Sequence, residues 1–245
     1  MTMFDLTGKT AWVTGAGKGL GRTMALALAA AGARLAVTSR TEQDLRTLAD
    51  ETGPDTMVLP GSVDDPGFAD ECVDRIGRVD VLVNCAGISP VFTRSESLGD
   101  EDWHRVLRVN LDGTYLCCRA AGRRMLAQGA GSIVNVSSVH ATTGFPRIAA
   151  YAASKGGVEA LSRVLAVEWA DRGVRVNTLA PGYFATDLSE GLVNSHWGEV
   201  IVNAVPQGRI GDASELAGAA VFLASDASSY VTGSTLRVDG GWTAH

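Results

Sequence analysis

The feature that most constrains this chain is a glycine-rich turn near its start, between a short apolar run and an alanine-rich segment. Residues 10–13 have the composition of a buried strand, and the segment from Met24 to Ala31, stopped by Gly32, has that of a helix. Residues 14–21 between them read Thr-Gly-Ala-Gly-Lys-Gly-Leu-Gly. Glycines there allow a tight turn and let backbone N–H groups approach a pyrophosphate at the helix N-terminus. With a second apolar run at 35–38, the pattern predicts a dinucleotide-binding βαβ unit.

Strand and helix patterns alternate along the rest of the chain, which predicts an α/β fold with a doubly wound parallel sheet flanked by helices. Residues 100–128 are expected to form one long helix, and a shorter helix is expected to open at Ser214. Because no linker, repeat or low-complexity segment interrupts residues 1–245, we interpret them as a single domain. The remaining short apolar runs lie at residues 57–59, 79–83, 133–136, 174–179 and 236–238.

Composition argues against several functional classes. The formal net charge is −6 and no long Lys/Arg run occurs, so nucleic acid and anionic membrane surfaces are not expected partners. No apolar run approaches the roughly 20 residues of a membrane span, and residues 1–9 lack a signal-peptide pattern. The histidines are scattered, so we expect no metal site. The cysteines form no Cys-x-x-Cys pair, which favours a reduced, cytoplasmic protein; they are Cys72, Cys85, Cys117 and Cys118.

A second constraint is the stretch from Val136 to Lys155. Ser138 follows an apolar run and is therefore expected at the carboxyl end of a strand. Tyr151 and Lys155 are four residues apart and share one face of a helix. A nearby ammonium favours the phenolate form, so we expect Lys155 to lower the pKa of Tyr151 from its usual value of about 10. Tyr151 would then serve as a general acid or base, and Ser138 could hydrogen-bond an oxygen that gains charge.

The Thr-Gly-x-x-x-Gly-x-Gly turn, combined with Ser138, Tyr151 and Lys155, resembles the short-chain dehydrogenase/reductase family over nearly the whole chain. The resemblance implies a seven-stranded Rossmann-like sheet and hydride transfer between a nicotinamide cofactor and a carbonyl group. It implies that Tyr151 donates the proton and Ser138 bonds the carbonyl oxygen. Lys155 would tune Tyr151 and hold the nicotinamide ribose, and Asn110 would support the water that returns the proton.

The resemblance also implies where the cofactor binds. Members that use NAD usually carry an acidic residue near position 39, but this chain has Ser39 followed by Arg40. With Lys18, these residues favour NADPH/NADP+ over NADH/NAD+, since cations suit a 2′-phosphate. Ser62 and Cys85 depart from the family's usual aspartate and asparagine. The expected cofactor contacts are Gly15, Lys18, Gly19, Leu20, Gly21, Ser39, Arg40, Ser62, Val63, Asn84, Ala86, Gly87, Tyr151, Lys155, Pro181, Gly182, Phe184 and Thr186.

We expect reduction of a ketone or aldehyde to an alcohol, in a partly apolar pocket beneath a lid at about 187–207. A sugar or polyol dehydrogenase is an alternative. Another is a 3-oxoacyl-carrier-protein reductase, in which Arg123, Arg124 and Arg172 would meet an acidic carrier. A non-catalytic NADPH sensor would not need a proton donor. By position, the expected pocket residues are Ser89, Ser138, His140, Phe145, Tyr183, Leu188 and Trp197.

The resemblance further suggests a homotetramer with two-fold axes. Its interfaces would use the helix faces at residues 119–126 and 161–167. Small residues in these segments, among them Ala120, Ala121 and Ala166, would let helices pack closely across an interface.

Overall fold

The structure is a computed structural model that describes residues 3–186, 191 and 195–244 of the 245-residue chain. Seven parallel strands form one sheet in the order β3-β2-β1-β4-β5-β6-β7. The predicted seven-stranded, doubly wound sheet is therefore confirmed. The strands are β1 (Thr10–Thr14), β2 (Arg34–Ser39), β3 (Met57–Pro60), β4 (Val81–Asn84), β5 (Gly131–Val136), β6 (Val174–Pro181) and β7 (Thr235–Val238).

Helices cover both faces of the sheet. One face packs against α1, α2 and α8, and the other against α3, α5 and α6. Because both faces are covered, β1 and β4 are buried at every position, which explains their uninterrupted apolar character. The helices are α1 (Gly19–Ala30), α2 (Glu42–Thr52), α3 (Phe68–Ile76), α4 (Asp100–Leu107), α5 (Gly113–Gln128), α6 (Ala149–Trp169), α7 (His196–Ala204) and α8 (Ala217–Ala224).

The strand order reverses between β1 and β4. The chain runs from β1 outward to β3 on one side, then crosses over to β4 and continues outward to β7 on the other. In such sheets a crevice opens beyond the carboxyl ends of the strands at the reversal. The residues that follow β1, β4 and β5 therefore meet at one edge of the sheet, as the sequence predicted.

The structure adds detail to the predicted helices. The long helical region predicted over 100–128 is confirmed, and a π-helical turn at Arg108–Asp112 within it separates α4 from α5. The helix predicted to open at Ser214 is capped two residues earlier: Asp212 accepts from Ser214 N, and Glu215 completes a capping box. Helix α3, which we did not predict, buries Cys72 and other apolar residues along one side.

The small residues proposed for subunit contacts face inward. Ala120, Ala121 and Ala166 are buried within the core, so they cannot meet another chain. The same helices expose other apolar side chains, namely Tyr115 on α5 and Val164 and Val167 on α6. Among the described residues, no helix has the length and apolar character needed to cross a membrane.

Candidate active site

A cavity of about 670 Å³ opens at the carboxyl edge of the sheet, where the strand order reverses. It brings together the glycine-rich turn, the ends of β2, β4, β5 and β6, and the first turns of α6. Every expected cofactor contact lines it except Asn84. Asn84 is buried inside the sheet, where its side-chain amide donates to Asn135 Oδ1 at 2.9 Å.

The glycine-rich turn approaches the neighbouring loop more closely than a side chain would allow. A Cβ on Gly15 would lie 2.7 Å from the backbone nitrogen of Ala86, and Gly15 has φ of +68°. A Cβ on Gly21 would lie 2.2 Å from the carbonyl oxygen of Gly15. The side chain of Lys18, the N-cap residue of α1, does not cap the helix, so the first N–H groups of the helix can face an anion. The turn therefore fits a dinucleotide pyrophosphate.

One end of the cavity carries exposed charges. Lys18 and Arg40 are exposed there, and Ser39 donates its hydroxyl hydrogen to Thr41 O at 3.1 Å. Asp44, in the first turn of α2, lines the same end and was not predicted. A Cβ placed on Gly17 would touch both Ser39 Oγ and Asp44 Cβ, at 2.9 and 3.1 Å. This end therefore contains two cations and one carboxylate.

Ser62 and Cys85, the two departures from the family pattern, both line the cavity. Ser62 donates its hydroxyl hydrogen to the Asp64 carboxylate, which leaves its oxygen lone pairs free to accept a hydrogen bond. Burial raises the pKa of Cys85 to about 11, so this residue is a neutral thiol at pH 7. Neither departure closes the cavity.

Tyr151 and Ser138 both line the cavity, and the Ser138 hydroxyl is near enough to Tyr151 to influence its pKa. Ser138 Oγ accepts from His140 N at 3.2 Å, which orients it at the end of β5. Burial raises the pKa of Tyr151, and the nearby Ser138 hydroxyl opposes that rise only in part. The expected lowering of the Tyr151 pKa by Lys155 is therefore absent in this structure, and Tyr151 is a protonated phenol at neutral pH.

The position of the Lys155 ammonium explains why the pKa of Tyr151 is not lowered, because the ammonium bonds a backbone carbonyl and not the phenol. Nζ donates to Val136 O at 2.8 Å and lies 5.8 Å from the centroid of the Tyr151 ring. Only 4% of Lys155 is exposed, and burial lowers its pKa to about 8. Lys155 is consequently a buried cation that can lose its proton slightly above neutral pH.

Asn110 lies behind the cavity wall, within the π-helical turn, and is fully buried. Its Oδ1 accepts from Ile88 N at 2.8 Å, and its Nδ2 donates to Ile88 O at 3.0 Å and to Ser154 Oγ at 3.1 Å. Ser154 Oγ in turn donates to Tyr151 O at 2.7 Å. Asn110 thus ties the loop after β4 to the helix that carries Tyr151. π-helical turns inside α-helices occur frequently at functional sites.

The other end of the cavity is aromatic. Ser89, Ser138, His140, Phe145 and Tyr183 line it as expected. Trp197 packs against Phe145, with ring centroids 5.4 Å apart, but does not itself line the cavity. Leu188 lies outside the described residues. So do residues 187–190 and 192–194 of the expected lid, whose described part contains α7.

Two aromatic residues at this end were not predicted. Phe92 packs against Phe145 and Trp197 at 6.4 and 6.1 Å, and Trp242 packs against Tyr183 at 5.0 Å. Both lie in irregular segments with no periodic pattern, and Trp242 is more than 50 residues from Tyr183 in sequence. No local sequence signal placed them here. No cluster of His, Cys, Asp or Glu side chains suited to a metal ion occurs in the described part of the chain.

Comparison with known proteins agrees with this geometry. Residues 15–243 match a family model described as Enoyl-(Acyl carrier protein) reductase. The chain is 44% identical to a galactitol 2-dehydrogenase (L-tagatose-forming) of Cereibacter sphaeroides, over 99% of this chain and 98% of that protein. It is 41% identical to a D-threitol dehydrogenase of Mycolicibacterium smegmatis, over 98% and 95%. A crystal structure of a gluconate 5-dehydrogenase from Burkholderia cenocepacia J2315, in complex with NADP and tartrate, superposes with a TM-score of 0.94 at 40% identity, over 99% of this chain and 98% of that one.

Proposed function

Because the chain belongs to the short-chain dehydrogenase/reductase family, we propose that it is an NADP-dependent oxidoreductase that interconverts a ketone or aldehyde and the corresponding alcohol. The observation that carries this proposal is that Tyr151, Ser138 and Lys155 line the same cavity as the glycine-rich turn. A module that only bound the cofactor would not need a proton donor there. The two hydroxyl groups in this cavity therefore favour catalysis over sensing.

Two side chains of this site would act on the reacting oxygen. When bound, the nicotinamide cofactor supplies or accepts the hydride. In reduction, Tyr151 gives its phenol proton to the carbonyl oxygen, and Ser138 donates a hydrogen bond to that oxygen as charge develops. Because its pKa is raised, Tyr151 stays protonated at neutral pH until negative charge develops on the carbonyl oxygen. The reverse sequence, with Tyr151 as the base, oxidises an alcohol.

Lys155 and Asn110 support this transfer in different ways. Lys155, with its pKa lowered to about 8, can exchange a proton with solvent near neutral pH and so restore the phenol. Its ammonium is also placed to reach the ribose of the nicotinamide, since Lys155 lines the cavity. Asn110 acts as a positioning residue, because its hydrogen bonds hold Ile88 and Ser154 in the walls around Tyr151.

The choice of NADP rests on charge at one end of the cavity. Lys18 and Arg40 are placed to meet a 2′-phosphate, and Ser39 introduces no repulsion. The related gluconate 5-dehydrogenase was crystallised with NADP, which is consistent with this choice. The negative charge that Asp44 adds would reduce the preference without reversing it.

The structure does not favour a carrier-protein substrate. Arg123 lies 3.7 Å from Asp70 and Arg124 lies 3.4 Å from Asp74, so each arginine faces an acid of its own chain. Arg172 donates to the carbonyl oxygen of Glu168 at 3.1 Å. These cations form no open basic patch for an acidic carrier. A small ketone or polyol needs no such patch.

The decisive experiment is a cofactor assay at 340 nm with a substrate panel. The purified protein is mixed with NADPH and simple ketones, keto-sugars or a 3-oxoacyl thioester, and with NADP+ and the matching alcohols. We expect turnover of small carbonyl compounds or polyols and none of the thioester. Tight NADPH binding without turnover of any substrate would contradict the proposal and favour a sensor.

We further propose that the enzyme is a cytoplasmic homotetramer. The exposed Val164 and Val167 of α6 and Tyr115 of α5 supply apolar area for helix packing between subunits. The four cysteines are free thiols, which suits a reducing compartment. Light scattering at micromolar concentration should give a mass near four times 25.5 kDa, and Val167→Glu should shift it toward smaller species. A mass of one chain for the wild type would contradict the assembly.

A further inference from the structure

The aromatic end of the cavity contains one hydrogen-bonded relay that the proposed reaction does not use. His140 Nε2 lies 2.8 Å from the phenol oxygen of Tyr183, and its Nδ1 lies 3.3 Å from Thr143 Oγ1. Both ring nitrogens of His140 are therefore engaged. Which one carries the hydrogen decides whether Tyr183 donates toward the histidine or toward the cavity.

The partners of Thr143 settle that choice. Its hydroxyl donates to Val139 O at 2.9 Å, so its oxygen is left to accept. Trp242 Nε1 donates to the same oxygen at 3.5 Å. Nδ1 of His140 must then be the nitrogen that carries the hydrogen, and Nε2 must be an acceptor. His140 stays neutral at pH 7, since burial lowers its pKa to about 4.

Tyr183 is consequently held as a donor to His140. Its hydrogen points at Nε2, and its oxygen presents the remaining lone pairs to the cavity that Tyr183 lines. Tyr183 and Tyr151 are close enough to influence one another electrostatically, and this contributes to the raised pKa of Tyr183. Ser138 and Tyr183 are further linked through His140, whose backbone N–H donates to Ser138 and whose ring accepts from Tyr183. The acceptor therefore lies beside the two residues that handle the reacting oxygen.

We propose that Tyr183 is a specificity-determining residue that accepts a hydrogen bond from a second hydroxyl group of the substrate, close to the reacting carbon. The substrate class is then a vicinal diol or a hydroxyketone rather than a simple alcohol or ketone. A site built to bond a substrate hydroxyl rejects the analogue that lacks it, because the polar group of the site is left unpaired. The ring of Phe145, which lines the cavity, would cover the C–H face of such a molecule. This inference rests on the proposed function and narrows it.

The test compares matched pairs of alcohols in the oxidation direction with NADP+. The pairs are 2,3-butanediol with 2-butanol and 1,2-hexanediol with 2-hexanol, so that each differs by one hydroxyl group. We expect the wild type to favour each diol in kcat/KM by about tenfold or more. Tyr183→Phe should lower kcat/KM for the diols by a similar factor and lower it much less for the simple alcohols, so that the diol-to-alcohol ratio falls. Tyr230→Phe, at a fully exposed tyrosine, is the matched control and should change neither.

The ratio of kcat/KM for the diol to kcat/KM for its matched simple alcohol distinguishes a change in specificity from a loss of folding. A general loss of packing in Tyr183→Phe would lower both members of a pair together, and that result would overturn the proposal. Equal use of diol and simple alcohol by the wild type would also overturn it, while the proposed function would stand. Absence of turnover for every diol, with simple ketones still reduced, would again overturn only this inference. Absence of turnover for every compound would reject the proposed function as well.

Discussion

The two ends of the cavity differ in the burial and polarity of the residues that form them. The end near Lys18, Ser39 and Arg40 consists of glycine backbone and exposed charges, whereas the end near Ser138, Tyr151 and Lys155 consists of buried polar groups with hydrogen-bond partners. Exposed charges are screened by solvent and salt, so each contributes little to the stability of the fold and can be exchanged at small cost in stability. Buried groups are costly to leave unpaired, so their geometry is tightly determined. The comparison indicates that the charged end can change with little loss of stability and that the buried end cannot.

The largest expected effect tests the buried end. Tyr151→Phe removes the phenol proton and keeps the ring, so kcat should fall by about 10²–10⁴ while NADPH binding is retained. Steady-state kinetics and a fluorescence titration of NADPH measure the two quantities. Tyr230→Phe is the control for the loss of a tyrosine hydroxyl on the surface. A Tyr151 variant that keeps most of its activity would remove this residue from the mechanism.

The next effect tests the exposed end. Ser39→Asp combined with Arg40→Leu places an acid where a 2′-phosphate would lie and removes a cation, so the preference should turn from NADPH toward NADH. Two charge-assisted contacts of roughly 1.5–3 kcal/mol each, reduced by screening, correspond to a change on the order of a hundredfold. The ratio of kcat/KM for the two cofactors is the measurement. Arg46→Leu removes an arginine of α2 outside the cavity and should leave this ratio unchanged. If the wild type already uses NADH equally well, Lys18 and Arg40 do not recognise a phosphate.

Lys155 leads to a prediction about how the free energy of unfolding depends on pH. Its folded-state pKa of about 8 lies below the unfolded value of 10.5, so the unfolded chain binds more protons between these values and wild-type stability rises with pH there. Lys155→Met removes the cost of burying an ammonium, and the loss of the hydrogen bond to Val136 O offsets part of that gain. The free energy of unfolding at pH 7 should therefore rise by on the order of 1 kcal/mol. Denaturant unfolding at pH 7 and pH 10 measures it.

The gain from Lys155→Met should shrink as pH rises from 8 toward 10.5, because the wild type then loses its own buried charge on folding. Activity should be lost at every pH. Lys9→Met, at a lysine outside the cavity, should show no such pH-dependent gain. A gain that is constant with pH would mean that packing rather than charge explains it.

The smallest expected effect concerns Asp44. Its carboxylate shares the exposed end with Lys18 and Arg40 and would repel a 2′-phosphate, so Asp44→Asn should tighten NADPH binding by about two- to fivefold. NADH affinity should change little. Asp50→Asn, at an exposed acid of α2 outside the cavity, controls for the change in net charge. Equal tightening by both variants would indicate a long-range field and no local contact.

The sequence by itself determined the sheet and most of the site, because their signals are local. Apolar runs bounded by glycine mark β1 and β2, and backbone geometry demands glycine at Gly15 wherever that turn occurs. The spacing of Tyr151 and Lys155 follows from the helix repeat alone. The family resemblance then assigned roles to residues whose positions were already readable.

Only the tertiary structure decided what those residues touch. Lys155 bonds Val136 O across 19 residues, which withdraws its ammonium from the phenol and leaves the Tyr151 pKa raised. The side chain of Asn84 lies inside the sheet and bonds Asn135. Asn110 bonds Ile88 from a π-helical turn, which the helical periodicity of the sequence did not predict. The partners of Tyr183 lie on separate segments of the chain, in His140 and Trp242. Burial and hydrogen-bond direction depend on contacts between distant segments, and those contacts leave no pattern in the local sequence.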